Sequence, residues 1–256
     1  NGGGVNQNSA TYVAWCWKAG GAAVTNNDGT VTSSVSANLE AGFSIVSYVV
    51  PSGSGYSVGH GLGAVPKLIL AKNRDTDSNW DVYSAFIPNT KRLKLNSSAA
   101  EETQPAWNNQ TATSTVFYSL GGGSWHGVGS NMINYVFCDV PGFSKSGSYN
   151  GNNSNDGTFI HLGFRPAWLL IKRIDSTRDW YIYDSTRSTF NQIEDFLEPS
   201  QLTAEQSSST NAVDFVSNGF KFRYNNGDMN GAGTYIYMAF AEQPGFTPLD
   251  TFPNAR

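Results

Sequence analysis

The residues that could do chemistry in this chain are few. His60, His126 and His161 are its only histidines. Acyl transfer would need one of them set between a serine and a carboxylate. No nucleophile elbow, a Gly-x-Ser-x-Gly turn joining a strand to a helix, is read in the chain. His60 and His161 stand just before a repeated Leu-Gly, where a hydrogen bond at a turn or strand edge is the simpler role. "DTDSN" at Asp75–Asn79 resembles the first half of a calcium loop, but no glycine follows at the sixth position and no glutamate at the twelfth. A polar turn accounts for it better. Glycosidic hydrolysis would need two separated carboxylates. Glu101/Glu102 and Glu194/Asp195 are chain neighbours in polar stretches and read as solvated surface. The glycine-rich stretches lack the Lys-Ser/Thr of a phosphate loop.

Cys16 and Cys138 are not clustered with histidine, so no zinc site is implied, and two buried free thiols are expected. No cofactor is implied. Trp107 in "PAWNNQ" and Trp125, followed by His126, in "GGGSWHGVGS" lie in polar, loop-like surroundings. Loops on a rigid scaffold often carry binding. Trp107, Trp125 and His126 are therefore the candidates for a ligand or subunit contact, with packing inside their own domain as the plainer alternative.

The elements that must position these residues are strands. The chain has 256 residues, 14% charged and 13% aromatic, with many β-branched and aromatic runs cut by Gly, Asn and Asp. That pattern predicts an all-β architecture. Net charge is −4, and no basic stripe is visible, which argues against nucleic acid as partner. No apolar run approaches the ~18 residues of a helical membrane span, and no membrane partner is expected. The first residue is Asn1, without a signal-peptide pattern, and the chain is expected to be part of a longer polypeptide.

One segment is nearly repeated 100 positions later. Leu62, Gly63, Pro66, Leu70, Lys72, Asp75, Trp80 and Tyr83 match Leu162, Gly163, Pro166, Leu170, Lys172, Asp175, Trp180 and Tyr183. "GFS" at Gly42–Ser44 recurs at Gly142–Ser144, "VFYSLG" ending at Gly121 answers "DFVSNG" ending at Gly219, and "INYVFCDVPGF" answers "IYMAFAEQPGF". "TYVAWCWKAGG" at Thr11–Gly21 resembles Thr234–Gly245 and reads as the closing strand of a preceding unit. "KLILAKN" and "AWLLIKR" read as strands buried on both faces. In "WDVY", alternation puts Trp80 and Val82 on one face, Asp81 and Tyr83 on the other. One helix is predicted, Thr189 to Ser200, ended by Pro199. The fold class is therefore all-β, with two tandem, mutually similar, jelly-roll-like antiparallel sandwiches after an N-terminal strand segment. The divisions fall at 1–41, 42–141, 142–246 and a tail at 247–256.

"YVAWCWKAGG", "GFSIVSY" with "VGHGLGAVPKLILAKNR", the "TYIYMAFAEQP" ending and the final "FPNAR" resemble a repeated domain of unknown function from virion proteins of marine tailed bacteriophages. The likeness runs from Tyr12 to Arg256 and departs at "QPGF", where the family has Pro-Phe. In family members a lectin-like sandwich often precedes the "YVAWCWKAGG" strand. The resemblance implies a tail-fibre, head-fibre or appendage component in the virion, with no catalytic residues to carry over. Implied partners are further copies of the chain, as a trimer by analogy with fibres, and other virion proteins. A trimer of doubled domains would form a pseudo-sixfold ring. The alternative is a carbohydrate- or receptor-binding module that contacts host-surface glycan.

Overall fold

Strands buried on both faces need apolar side chains at successive positions, and Leu68-Ile69-Leu70-Ala71 and Trp168-Leu169-Leu170-Ile171 supply them. The computed structural model describes residues 8–121 and 126–242. The first unit contains β1 (Val24–Asn26), β2 (Ser33–Asn38), β3 (Phe43–Val49), β4 (Tyr56–Gly59) and β5 (Leu68–Asn73). It continues through β6 (Trp80–Ser84), β7 (Lys91–Lys94), β8 (Glu102–Thr103), β9 (Val116–Ser119) and β10 (Asn131–Phe137). Eight of these form one antiparallel sheet in the order β1-β2-β3-β10-β5-β6-β7-β8, and β4 pairs with β9.

The second unit contains β11 (Ser144–Gly151), β12 (Phe159–His161), β13 (Pro166–Arg173), β14 (Trp180–Asp184) and β15 (Asp195–Phe196). It ends with β16 (Gln206–Ser207), β17 (Val213–Val216), β18 (Gly219–Phe222) and β19 (Gly233–Ala241). Its sheets run β11-β19-β13-β14, β12-β18-β17 and β15-β16.

The order β3-β10-β5-β6 thus recurs as β11-β19-β13-β14. The register recurs as well: Phe137 stands opposite Phe43 and Leu68, and Phe240 opposite Ser144 and Trp168. The repeated lysine and aspartate secure the same turn twice. Lys72 Nζ donates to the carbonyls of Thr76 and Ser78 at 3.0 and 2.8 Å, and Lys172 Nζ donates to that of Arg178. Asp75 accepts the N–H of Asn131 at 2.6 Å, and Asp175 accepts that of Thr234 at 3.0 Å, each at the start of its central strand.

The layers stack four deep. Val46, Tyr48, Ile69, Tyr83 and Val136 meet Tyr56, Val58 and Phe117 of the small β4–β9 sheet in one core. Leu169, Ile171, Tyr183 and Tyr235 meet Ile160, Phe215 and Phe220 in another. The opposite faces of the two large sheets pack on each other: Phe43, Leu68, Val82 and Phe137 meet Trp168, Trp180, Met238 and Phe240 in a shared middle core. At its rim Trp180 Nε1 donates to Lys94 O at 2.8 Å, Arg178 N to Ser98 O at 2.9 Å, and Glu101 N to Ile174 O at 2.9 Å.

Several expectations differ from this structure. β1 and β2, set apart with the N-terminal segment, belong to the first large sheet. The "GFS" match is one residue out of register, since Phe43 corresponds to Ser144; a one-residue slip reverses which face a side chain takes. "DFVSNG" is not the counterpart of "VFYSLG", because β9 pairs with β4 whereas β12 pairs with β18. No helix forms at 189–200; Ile193 exchanges main-chain bonds with Val213 and Leu197 with Ile182. Such tertiary pairing outweighs a short helix that is marginal alone. Among the described residues no α-helix occurs, and a 3-10 turn spans Ser209–Asn211. Thr11–Gly21 forms no ladder, yet its period of two persists, with Trp15, Trp17 and Ala19 turned inward and Cys16 and Lys18 outward. Cys16 is therefore exposed, not buried, and only Cys138 is a core thiol.

Candidate functional site

Trp107 is not a surface platform. It is buried in the first core, edge-on to Tyr83 with ring centroids 5.5 Å apart. The half-buried Asn108 and exposed Asn109 that follow take positive φ of 52° and 51°, the conformation asparagine tolerates, and the turn tucks the indole beneath them. Trp125 lies outside the described residues.

His126 is also buried, within a chain of polar groups that local sequence did not signal. Its Nδ1 lies 3.3 Å from Ser119 Oγ and its Nε2 3.5 Å from Asp81 Oδ2. Asp81 Oδ1 accepts from Arg92 Nη1 at 2.7 Å, Arg92 Nη2 donates to Glu102 Oε2 at 3.2 Å, and Lys94 Nζ donates to Glu102 Oε1 at 2.6 Å. Strand pairing builds this chain: Asp81 sits opposite Lys94, and Arg92 opposite Glu102. Burial pushes the Asp81 carboxyl up to about 6 against the pull of Arg92. Burial, then the Arg92 charge, pushes His126 down to about 4. At neutral pH His126 is uncharged and Asp81 is an ion paired with Arg92.

Ser119, His126 and Asp81 have the side-chain types of an acyl-transfer triad, but each is at most 2% exposed, so no substrate carbonyl reaches Ser119 in this structure. The spacing Gly-x-Ser-x-Gly does occur at Gly55–Gly59, but it lies in β4 and its edge, with no helix following. Ser57 there accepts the N–H of Thr30 at 3.0 Å. His60 binds the N–H of Leu62 through Nδ1 at 3.2 Å, the turn role expected of it. Both carboxylate oxygens of Asp75 bind Asn131. Among the described residues no group of three or more His, Cys, Asp or Glu side chains could hold a metal ion.

One concave feature among the described residues reaches solvent and is apolar. A crevice of about 460 Å³ lies between the two large sheets, lined by Ile45, Leu70, Trp80, Leu95, Tyr135 and the arm residues Trp15 and Trp17, with Trp168 and Met238 from the second sheet. Trp80 stacks on Tyr135 with centroids 6.1 Å apart and planes 19° apart. Trp17 meets the Trp168 ring edge-on at 5.4 Å. Trp15 Nε1 donates to Asp184 Oδ2 at 3.3 Å, and the Arg187 guanidinium lies 5.7 Å from its ring. Exposed Asn79 and Asn96 bond to each other at 3.1 Å, and Asn96 accepts the Trp80 N–H at 3.0 Å. Alternation put Trp80 on this face correctly, but nothing local showed that the face would stay open.

The fold and this site define an all-β protein of antiparallel sheets whose two large sheets share an aromatic core and whose Asp81–Arg92–His126 cluster is buried. A family model described as a domain of unknown function (DUF7483) matches residues 1–244, and the chain belongs to that family. One family model therefore spans the arm and both units. No curated protein and no solved structure matches the chain significantly.

Proposed function

We propose that this chain is a structural component of a tailed-bacteriophage virion, a fibre or appendage segment that assembles with copies of itself and other virion proteins. The sequence motifs shared with such proteins suggest the setting. The observation that carries the reading is the middle core, which welds two similar units, read as products of duplication, into one stack beside an uncovered apolar crevice. Open apolar concavities of this kind mark contact surfaces. The test is the mass of the purified chain by light scattering and its symmetry by negative-stain microscopy. A threefold assembly is the expected result, and a monomer at about 100 μM would overturn it.

A second reading, glycan contact, is favoured by one observation: the half-exposed Trp80 stacks on Tyr135 with Asn79 and Asn96 beside it. An aromatic face flanked by amides suits a sugar ring. Binding on a glycan array that disappears in Trp80→Ala, with folding intact, would support this reading; an array without binding would remove it.

A further inference from the structure

The two large sheets differ at one edge. In the first unit the outer side of β3 is covered by β2 over five residue pairs, from Ser34 opposite Ser47 to Asn38 opposite Phe43, and β2 is covered in turn by β1. In the second unit the matching strand, β11, is the end of its sheet. Antiparallel ladders turn alternate residues outward, and on β11 these are Ser144, Ser146, Ser148 and Asn150. The first part of the edge is occupied. Ser144 exchanges main-chain bonds with Val140, and Ser146 N donates to Asp139 Oδ1 at 2.8 Å. Thr158 Oγ1 donates to Asn150 O at 3.1 Å. Between them Ser148 is exposed and directs its N–H and C=O outward without a partner among the described residues. A main-chain donor and acceptor left open at a sheet edge are a short template for another chain. The other long edge of this sheet, β14, is met by Leu197, which exchanges main-chain bonds with Ile182.

The arm has the complementary deficit. Residues 14–19 alternate between exposed and half-buried as a strand does, and no main-chain bond joins residues 13–19 to the main chain of any described residue. A side chain does reach the arm: Asn38 Nδ2 donates to Lys18 O at 3.0 Å. Trp15 and Trp17 hold the arm in place by their indoles, so its main-chain groups other than Lys18 O stay available. The tail of the same chain is a poor alternative occupant, because Pro244, Pro248 and Pro253 interrupt it and proline cannot donate to a ladder.

We infer that the outer edge of β11 accepts a strand from a second copy of this chain, and that residues 13–19 of the arm, extended but unladdered, are that strand. The inference rests on the self-assembly reading above. The contact joins two different patches, arm on one copy and β11 on the next, so it is heterologous and propagates head to tail. It closes into a ring or extends as a filament according to the rotation between copies.

The test uses the whole chain. Ala14→Pro and Ser148→Pro each delete an N–H donor from one side of the contact. Proline at an outward edge position leaves the fold standing, which circular dichroism and melting would verify. Each variant is expected to weaken association at least about tenfold by sedimentation or light scattering. As a second measurement, Ser146→Cys, Ser148→Cys and Asn150→Cys are introduced singly and oxidised mildly. At least one is expected to form a disulfide with Cys16 of the partner, read as linked multimers on a non-reducing gel. Multimers that persist with either proline, together with no cross-link from any of the three cysteines, overturn the strand contact while leaving self-assembly in place. A wild-type chain that stays monomeric at about 100 μM overturns both.

Discussion

The Trp180 indole N–H donates to the main-chain carbonyl of Lys94 at 2.8 Å, joining the second unit to the first across the rim of their shared core. The ring is 1% exposed, so this bond is made away from water and its loss is not compensated there. Trp180→Ala is expected to destabilise the chain by about 3–5 kcal/mol through the cavity it leaves. Trp180→Phe, which keeps most of the ring but leaves the Lys94 carbonyl with only the 3.3 Å bond from the Ser97 N–H, is expected to cost about 0.5–1.5 kcal/mol. Urea unfolding checks both; a near-neutral Trp180→Ala would refute the placement of this ring as core.

The two repeated lysines make unequal contributions despite equal spacing. Lys172 is fully buried and donates to Ser98 O of the first unit at 3.1 Å as well as to Arg178 O, whereas Lys72 serves only its own turn. Burial pushes the Lys172 ammonium down to about 8. Replacing Lys172 by alanine takes the lysine donor from Arg178 O and leaves Ser98 O with the Arg178 N–H alone, and is expected to cost about 2–3 kcal/mol, against about 1 kcal/mol for Lys72→Ala. Equal losses for the two variants in matched melts would contradict this asymmetry.

Asp81 and His126 carry opposite pH dependences. The Asp81 carboxyl titrates near 6 when folded and near 3.8 otherwise, so between those values the folded chain holds the extra proton and this group's contribution falls as pH rises. His126 titrates near 4 when folded and near 6.5 otherwise, so its contribution rises with pH over its window. In the intact protein the two slopes largely cancel. His126→Gln is expected to leave stability falling from pH 4 to pH 6, and Asp81→Asn to leave it rising from pH 4 to pH 6.5. Denaturation midpoints at three pH values in each variant test the signs, and slopes of the same sign would show that the pair does not titrate in this way.

The two thiols should separate cleanly. Cys16 is exposed on the arm, and burial pushes the Cys138 thiol up to about 12. Thiolate is the reactive form. A thiol reagent at pH 8 is expected to label Cys16 rapidly, with Cys138 labelled only in denaturant. Two fast equivalents from the native chain would place Cys138 outside the core.

What the sequence made legible were features whose signal is local. The alternation of "WDVY" separates Trp80 from Tyr83, the unbroken apolar runs mark β5 and β13, and the recurring lysine and aspartate mark turns that are held in the same way twice. Features set by distant pairing were hidden. Trp107 sits among asparagines and reads as surface, although its ring turns under them against Tyr83. The "GFS" identity is real as letters and displaced as structure, because partners in β10 and β19, not the letters, set the register. Residues 189–200 have helical spacing, but Ile182 and Val213 claim their backbone. His126 and Asp81 meet only because β6, β7 and β9 converge, and no short pattern announces such a meeting.

The middle aromatic layer also has a mechanical consequence. Pulling the halves apart requires Met238 and Phe240 to part from the core they share with Leu68 and Phe137. Under load the two units are expected to yield together. Cutting it in two between Val140 and Phe143 would yield two pieces that each expose a greasy wall and clump, not two working modules.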